Sequence, residues 1–150
     1  MKKIAVVGTG LSALSLAHHL PSLDITFFEK SWRPGGRIST RKHGEYAFDH
    51  GAHYLKTDHG MIGLNEFLEK IDAIKNLKGP FCRNISQNSP IEEKEIIVGK
   101  EGNESIPLKF HKYLHYPTIF STKITSIENT NQEYYLKAGE EKFGPFDYVF

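Results

Sequence analysis

The chain contains one cysteine, one tryptophan and two methionines in 150 residues. A single cysteine excludes an internal disulfide framework and a multi-cysteine zinc site. Charge of one sign is not in excess. Lys and Arg number 19 and Asp and Glu 18, a net charge of +1. No bulk field therefore recruits nucleic acid or an anionic membrane. No apolar run approaches the ~18 residues of a membrane-spanning helix. There is no internal repeat and no low-complexity tract. These absences exclude collagen, coiled-coil, disulfide-scaffold and helical membrane architectures. What remains is globular. Leu, Ile, Val and Phe make up 40 of the 150 residues, above the ~20% below which such chains stay disordered. The length fits one domain on a scale of roughly 100–200 residues.

The start of the chain, Met1-Lys2-Lys3 followed by Ile4-Ala5-Val6-Val7, superficially resembles a secretory leader. Gly8 and Gly10 interrupt the apolar run where a leader helix favours Leu, and a regular alternation of elements follows. The chain is therefore expected to be cytoplasmic. The sequons at Asn84 and Asn103 then carry no meaning.

Residues 1–56 alternate strand and helix signals. Lys3–Val7 reads as a short buried strand, residues 11–20 as a helix stopped near Pro21, and Asp24–Glu29 as a second strand ending on an acid. Residues 60–77 place apolar side chains at 64, 67, 68, 71 and 74, a helical face. Residues 79–104 are polar and enclose a strand-like Glu95–Val98. Pro107–His115 predicts a short helix with proline in its first turn. Strands are expected at 118–121, 123–128, 133–138 and 147–150.

The chemistry is concentrated at Gly8-Thr9-Gly10-Leu11-Ser12-Ala13, which matches G-x-G-x-x-G/A between a strand and a helix. Gly8 permits a tight turn out of the strand. Gly10 lets a pyrophosphate approach the backbone, and Ala13 lets the helix pack close. The helix N-terminus offers free N–H groups and a positive dipole end. Glu29 closes the second strand about 20 residues on, where a ribose-binding acid belongs. Arg33-Pro34-Gly35-Gly36-Arg37 follows. Two adjacent glycines and an arginine fork suit a second contact to a pyrophosphate, better matched to a larger dinucleotide than to a nicotinamide one.

Phe48-Asp49-His50-Gly51-Ala52-His53-Tyr54 is the third element. With it, the chain resembles the N-terminal portion of the FAD-dependent amine oxidase superfamily, its renalase-like branch in particular. The resemblance is specific over the first 56 residues. It extends to Ser121–Glu128 as an adenine-side strand pair and to Gly144–Val149 as the start of a further parallel strand. Residues 58–96 share only the general layout.

The resemblance implies an α/β Rossmann-like FAD/NAD(P)-binding fold, incomplete, with a β-meander and the start of an inserted substrate domain. Residues 1–57 and 105–150 would form the FAD-binding domain, and 58–104 the first part of the inserted one. It implies FAD as cofactor. Gly8, Gly10, Leu11, Ser12 and Ala13 would hold the pyrophosphate, and Glu29 the adenosine ribose with Lys30 beside it. Gly35, Gly36 and Arg37 would cover the pyrophosphate and ribityl region. Gly51, Ala52 and His53 would approach the flavin ring, and Ile124 would meet adenine through its backbone. His53 departs from the Gln that many relatives carry.

The implied activity is flavin-dependent oxidoreduction of a small molecule, an amine or a dihydronicotinamide-type hydride donor. A nicotinamide-dependent Rossmann enzyme and a nucleotide-binding protein without turnover are the alternatives. No catalytic acid–base pair is legible, and flavin chemistry does not demand one. His50-x-x-His53 lacks a third ligand, so no metal is expected. Asp147–Phe150 is expected as a parallel strand at which the chain stops, leaving an open sheet edge that a second chain would cover.

Overall fold

A computed structural model describes residues 1–56, 62–82 and 91–150. Its centre is a four-stranded parallel sheet in the order β11-β1-β2-β7. β1 (Lys3–Val7) and β2 (Asp24–Phe28) run side by side with Lys3 opposite Asp24 and Val7 opposite Phe28. β7 (Thr118–Ile119) pairs with the end of β2, and β11 (Tyr148–Val149) with the middle of β1. The fold class expected from the strand–glycine–helix–strand order is present. β11 is parallel as expected, and among the described residues it pairs with β1 alone.

Strand periodicity sends alternate side chains to opposite faces. Ile4, Val6, Ile25 and Phe27 face α1 (Leu11–His18) and α3 (Ser105–Leu114), where Leu14, Ala17, Ile106 and Phe110 join them in one buried cluster. Ala5 and Phe28 face the other way, onto Leu136, Phe143 and Phe146 of an antiparallel meander. That meander is β8 (Ser126–Thr130), β9 (Glu133–Ala138) and β10 (Glu141–Phe146). Asn131 and Gln132 both have positive φ, the mark of a two-residue hairpin turn that follows the strands' right-handed twist.

Between these halves lie β3 (Ile38–His43) and β4 (Tyr46–Gly51), a hairpin, then α2 (Ile62–Lys70) and the ribbon of β5 (Ile74–Phe81) with β6 (Glu92–Gly99). Leu68, Ala73, Ile74 and Ile97 bury into the same cluster as α1 and α3.

The helix expected over 60–77 is shorter than its apolar spacing suggests. Ala73 N donates to Leu68 O at 2.9 Å and Asp72 N to Glu69 O at 2.8 Å, with Asp72 at φ 59°. That is a Schellman cap. Ile74, which continues the helical spacing, instead begins β5. The strand expected at 123–128 starts at Ser126, and the one at 118–121 is two residues long. The 38–51 hairpin was not expected from the sequence, and Gly144–Phe146, expected at the start of a parallel strand, instead end the antiparallel β10, with the parallel strand beginning at Tyr148. The Asn84 sequon, the 57/58 boundary and the start of the 60–77 segment lie outside the described residues. Among those described, no helix is long and apolar enough to cross a membrane.

Candidate functional site

The turn from β1 into α1 brings the glycine motif to the end of the sheet. Gly8 takes φ 103°, and its N–H donates to Phe28 O at 2.7 Å. Such a φ is open to glycine and costly for other residues. Gly10 is the N-cap of α1, and no side chain caps the helix. A Cβ added at Gly8 or Gly10 would meet nothing within 4 Å. The first helical N–H groups therefore keep their donors and their dipole for a ligand.

Glu29 follows β2 and is buried, with 4% of its surface exposed. Oε2 accepts from Thr9 N at 2.8 Å and from Thr9 Oγ1 at 2.7 Å. Oε1 accepts from Ser31 N at 2.9 Å. Burial pushes the carboxyl up, and the hydrogen bonds from Thr9 and Ser31 outweigh it, so Glu29 sits below its ordinary value. The Ser31 side chain adds a further hydrogen bond to the carboxylate.

The loop after β2 folds back over the glycine turn. Gly35 N donates to Thr9 O at 3.3 Å, and Gly10 and Gly35 form a parallel bridge. A Cβ at Gly36 would lie 3.1 Å from Gly10 Cα. Gly8, Gly10, Glu29, Lys30, Gly36 and Ile124 all line one cleft of about 300 Å³. Six of the residues singled out by sequence thus share a cavity. Uncapped helix donors, two glycines open to close approach and a buried acceptor at the cleft wall fit the pyrophosphate and ribose of a dinucleotide.

The other singled-out residues take different positions. Leu11 and Ala13 pack partly into the helix-side core, and Ser12 is exposed on the first turn of α1. Gly35 lines a neighbouring cavity of about 410 Å³ with Lys30, Trp32, Arg33 and Glu104. Arg37 is exposed, and its side chain has no acidic partner among the described residues. Its carbonyl accepts from Ala52 N at 3.0 Å. Gly51 ends β4, Ala52 and His53 follow it, and none of the three lines the 300 Å³ cleft. Gly51 has φ 88°, and a Cβ there would lie 2.3 Å from Arg37 O. His50 Nε2 lies 3.1 Å from Ser39 Oγ. Among the described residues no three metal-ligating side chains converge.

Several site residues had no clear sequence signal. Thr9 stands at a variable position of the motif, yet its side chain fixes Glu29. Arg33 Nη1 pairs with Glu104 Oε2 at 2.7 Å, joining the glycine loop to the start of α3. Asp49 Oδ1 accepts from Thr40 Oγ1 and from Asn103 N. Asn103 and Glu104 precede a proline-bearing helix, which marks a helix start. It does not reveal contacts to residues some 50 to 70 positions earlier in the chain.

Comparison with known proteins places this geometry. Residues 6–70 match the NAD(P)-binding Rossmann-like domain family. The L-amino acid oxidase Cdc18 of Crotalus durissus cumanensis is 26% identical over 150 aligned positions, covering 90% of this chain and 28% of its own. In fold, the chain is similar to a putative protoporphyrinogen oxidase from Exiguobacterium sp. 255-15, with TM-score 0.71 and 14% identity. That match covers 99% of this chain and 58% of the other. It is also similar to wild-type putrescine oxidase bound to putrescine, with TM-score 0.69 and 9% identity, over 93% and 55% of the two chains. The chain spans between 12% and 28% of the first curated relatives it matches.

Proposed function

We propose that the chain is a member of the FAD-dependent amine oxidase superfamily and provides the FAD-binding part of a flavin oxidoreductase, a reading supported by the Rossmann-like match over residues 6–70 and by the likeness to an L-amino acid oxidase. The observation that carries this reading is the single cleft shared by Gly8, Gly10, Glu29, Lys30, Gly36 and Ile124. When bound, FAD supplies two-electron redox chemistry, accepting a hydride from the substrate. The chain's own residues bind and orient.

In this reading Gly8, Gly10, Leu11, Ser12 and Ala13 hold the pyrophosphate on the uncapped start of α1. Glu29 accepts from the adenosine ribose, with Lys30 beside it. Gly35 and Gly36 bring backbone close to the pyrophosphate, and the exposed Arg37 pairs with phosphate oxygens. Ile124, partly buried on the meander side of β2, meets adenine. Gly51, Ala52 and His53 face the flavin ring. Residues 1–57 and 105–150 form the FAD-binding domain, and 58–104 the first part of a substrate domain.

The substrate is an amine or a dihydronicotinamide-type donor of the renalase-like kind, a choice supported by the first 56 residues. A single cysteine suits a cytoplasmic location. The edge of β11 that has no partner among the described residues is where a second chain would add a strand.

The test is direct. The purified chain is scanned for visible absorbance, and the released nucleotide is identified. Flavin bands with FAD released are expected. Bound nicotinamide dinucleotide with no flavin would overturn the proposal.

A further inference from the structure

The segment that leaves β4 is pinned at both ends by backbone. Ala52 N donates to Arg37 O at 3.0 Å, and Leu55 N to Ile97 O at 2.8 Å. Between these pins, one side-chain amide takes two of the three intervening carbonyls. Asn103 Nδ2 donates to Ala52 O at 3.0 Å and to His53 O at 2.7 Å. Its Oδ1 accepts from Gly99 N at 2.7 Å, and its backbone N donates to Asp49 Oδ1 at 2.9 Å. Asn103 is 2% exposed. Two donors and an acceptor on one short planar group are what this place uses. Asp has no donors when ionised, and Gln reaches one methylene further. The backbone around it is tight, since a Cβ at Gly99 would lie 2.1 Å from Gly102 O.

A trans peptide unit points its C=O and the following N–H in opposite directions. With Ala52 O and His53 O turned onto Asn103, the N–H groups of His53 and Tyr54 are turned away from it. Neither has an acceptor among the described residues, and both residues are exposed. The amide thus aims a pair of available backbone donors outward, on the segment assigned to the flavin side.

We propose that Asn103 is a positioning residue that fixes the Ala52–Tyr54 backbone so that the His53 and Tyr54 N–H groups donate to acceptor atoms of the flavin ring. This rests on the flavin reading of Gly51, Ala52 and His53 given above. Asn103 itself acts through the peptide units it holds.

The test uses the FAD-loaded chain and two variants. N103D replaces both donors with an oxygen facing two carbonyls, and N103A removes the group without adding charge. Hydrogen exchange is read at Ala52 and Leu55, with the Gly8 amide as internal control. Circular dichroism of the bound flavin is read in the visible bands. Exchange at Ala52 and Leu55 should quicken about ten-fold or more, with Gly8 unchanged. Flavin should remain bound with altered visible bands. N103A should show the same directions, and it decides the matter if N103D does not fold. Unchanged exchange overturns the proposal. So does quickened exchange with an unaltered flavin spectrum, since a purely structural amide would give that pattern. Wild-type chain that takes up no flavin overturns the functional reading itself, and with it the inference. That failure shows before any variant is made.

Discussion

Thr9 and Glu29 are locked together by two hydrogen bonds to one oxygen, from Thr9 N at 2.8 Å and Thr9 Oγ1 at 2.7 Å. They tie the first strand–helix turn to the end of β2. The folded carboxyl titrates below its ordinary 4.5 because these donors outweigh its burial. A group depressed in the folded state stabilises fully above its unfolded pKa and loses that contribution as pH falls through the folded one. Glu29→Gln should therefore lower the urea midpoint most near neutral pH. The gap from wild type should narrow from about pH 4.5 downward. A gap independent of pH between 7 and 3 would show that the charge contributes nothing.

Gly8 and Gly10 look equivalent in the motif and differ in the structure. Gly8 needs φ 103°, whereas Gly10 has φ −70° and open space where a Cβ would go. Gly10→Ala should keep its thermal midpoint within about 2 °C, since surface changes without strain cost little. Its methyl would still stand where a pyrophosphate must come, so dinucleotide affinity should fall roughly ten-fold or more. Gly8→Ala should lose about 1–2 kcal/mol of stability as well. Thermal denaturation paired with nucleotide titration separates the two. Equal stability losses would refute the assignment.

The Rossmann-like half of this fold was legible because its signals are local. The β1 run, the glycine turn, the α1 spacing and Glu29 occupy 27 consecutive residues, and each carries its own physical constraint. The cleft is lined by them together with Gly36, whose double-glycine turn also carries its own signal, and Ile124, which only a family resemblance placed. The middle of the chain was less legible. Ile71 and Ile74 extend the α2 spacing past a cap that depends on Asp72 adopting positive φ, which an acid seldom announces. β10 contains Gly144-Pro145, and its ladder slips between Phe143 and Phe146. Sequence patterns treat such residues as breakers, while its packing on Phe28 is tertiary. The Asn103 and Glu104 contacts span the whole middle of the chain and leave no period to read.

Arg33 and Glu104 form an ion pair in which the carboxylate side chain is 12% exposed and the guanidinium side chain 33%. Removing the arginine leaves a nearly buried charge unpaired, which costs more than the pair itself contributes. Arg33→Met should cost about 1–3 kcal/mol, and Glu104→Gln less. The double variant should recover part of the Arg33→Met loss. A double-mutant cycle in urea reads the coupling directly. Additive losses would mean that the two side chains do not sense each other.

Gly51 is the last residue of β4, opposite Ile38, and stands against Arg37 O more closely than any Cβ tolerates. It also has φ 88°. Gly51→Ala therefore meets two penalties together, a backbone conformation disfavoured by about 1–2 kcal/mol and a clash with main chain that no rotamer relieves. The strand end must shift, and Ala52 N must part from Arg37 O. Stability should fall by about 2 kcal/mol or more, with exchange at Ala52 quickening before that at Gly8. The Thr9–Glu29 lock lies on a different pair of segments, so nucleotide binding through the adenosine end should persist in whatever fraction remains folded. Calorimetry and titration on the same sample decide it. Loss of both functions in step with unfolding would mean that the β3–β4 hairpin and the glycine cleft form one cooperative unit.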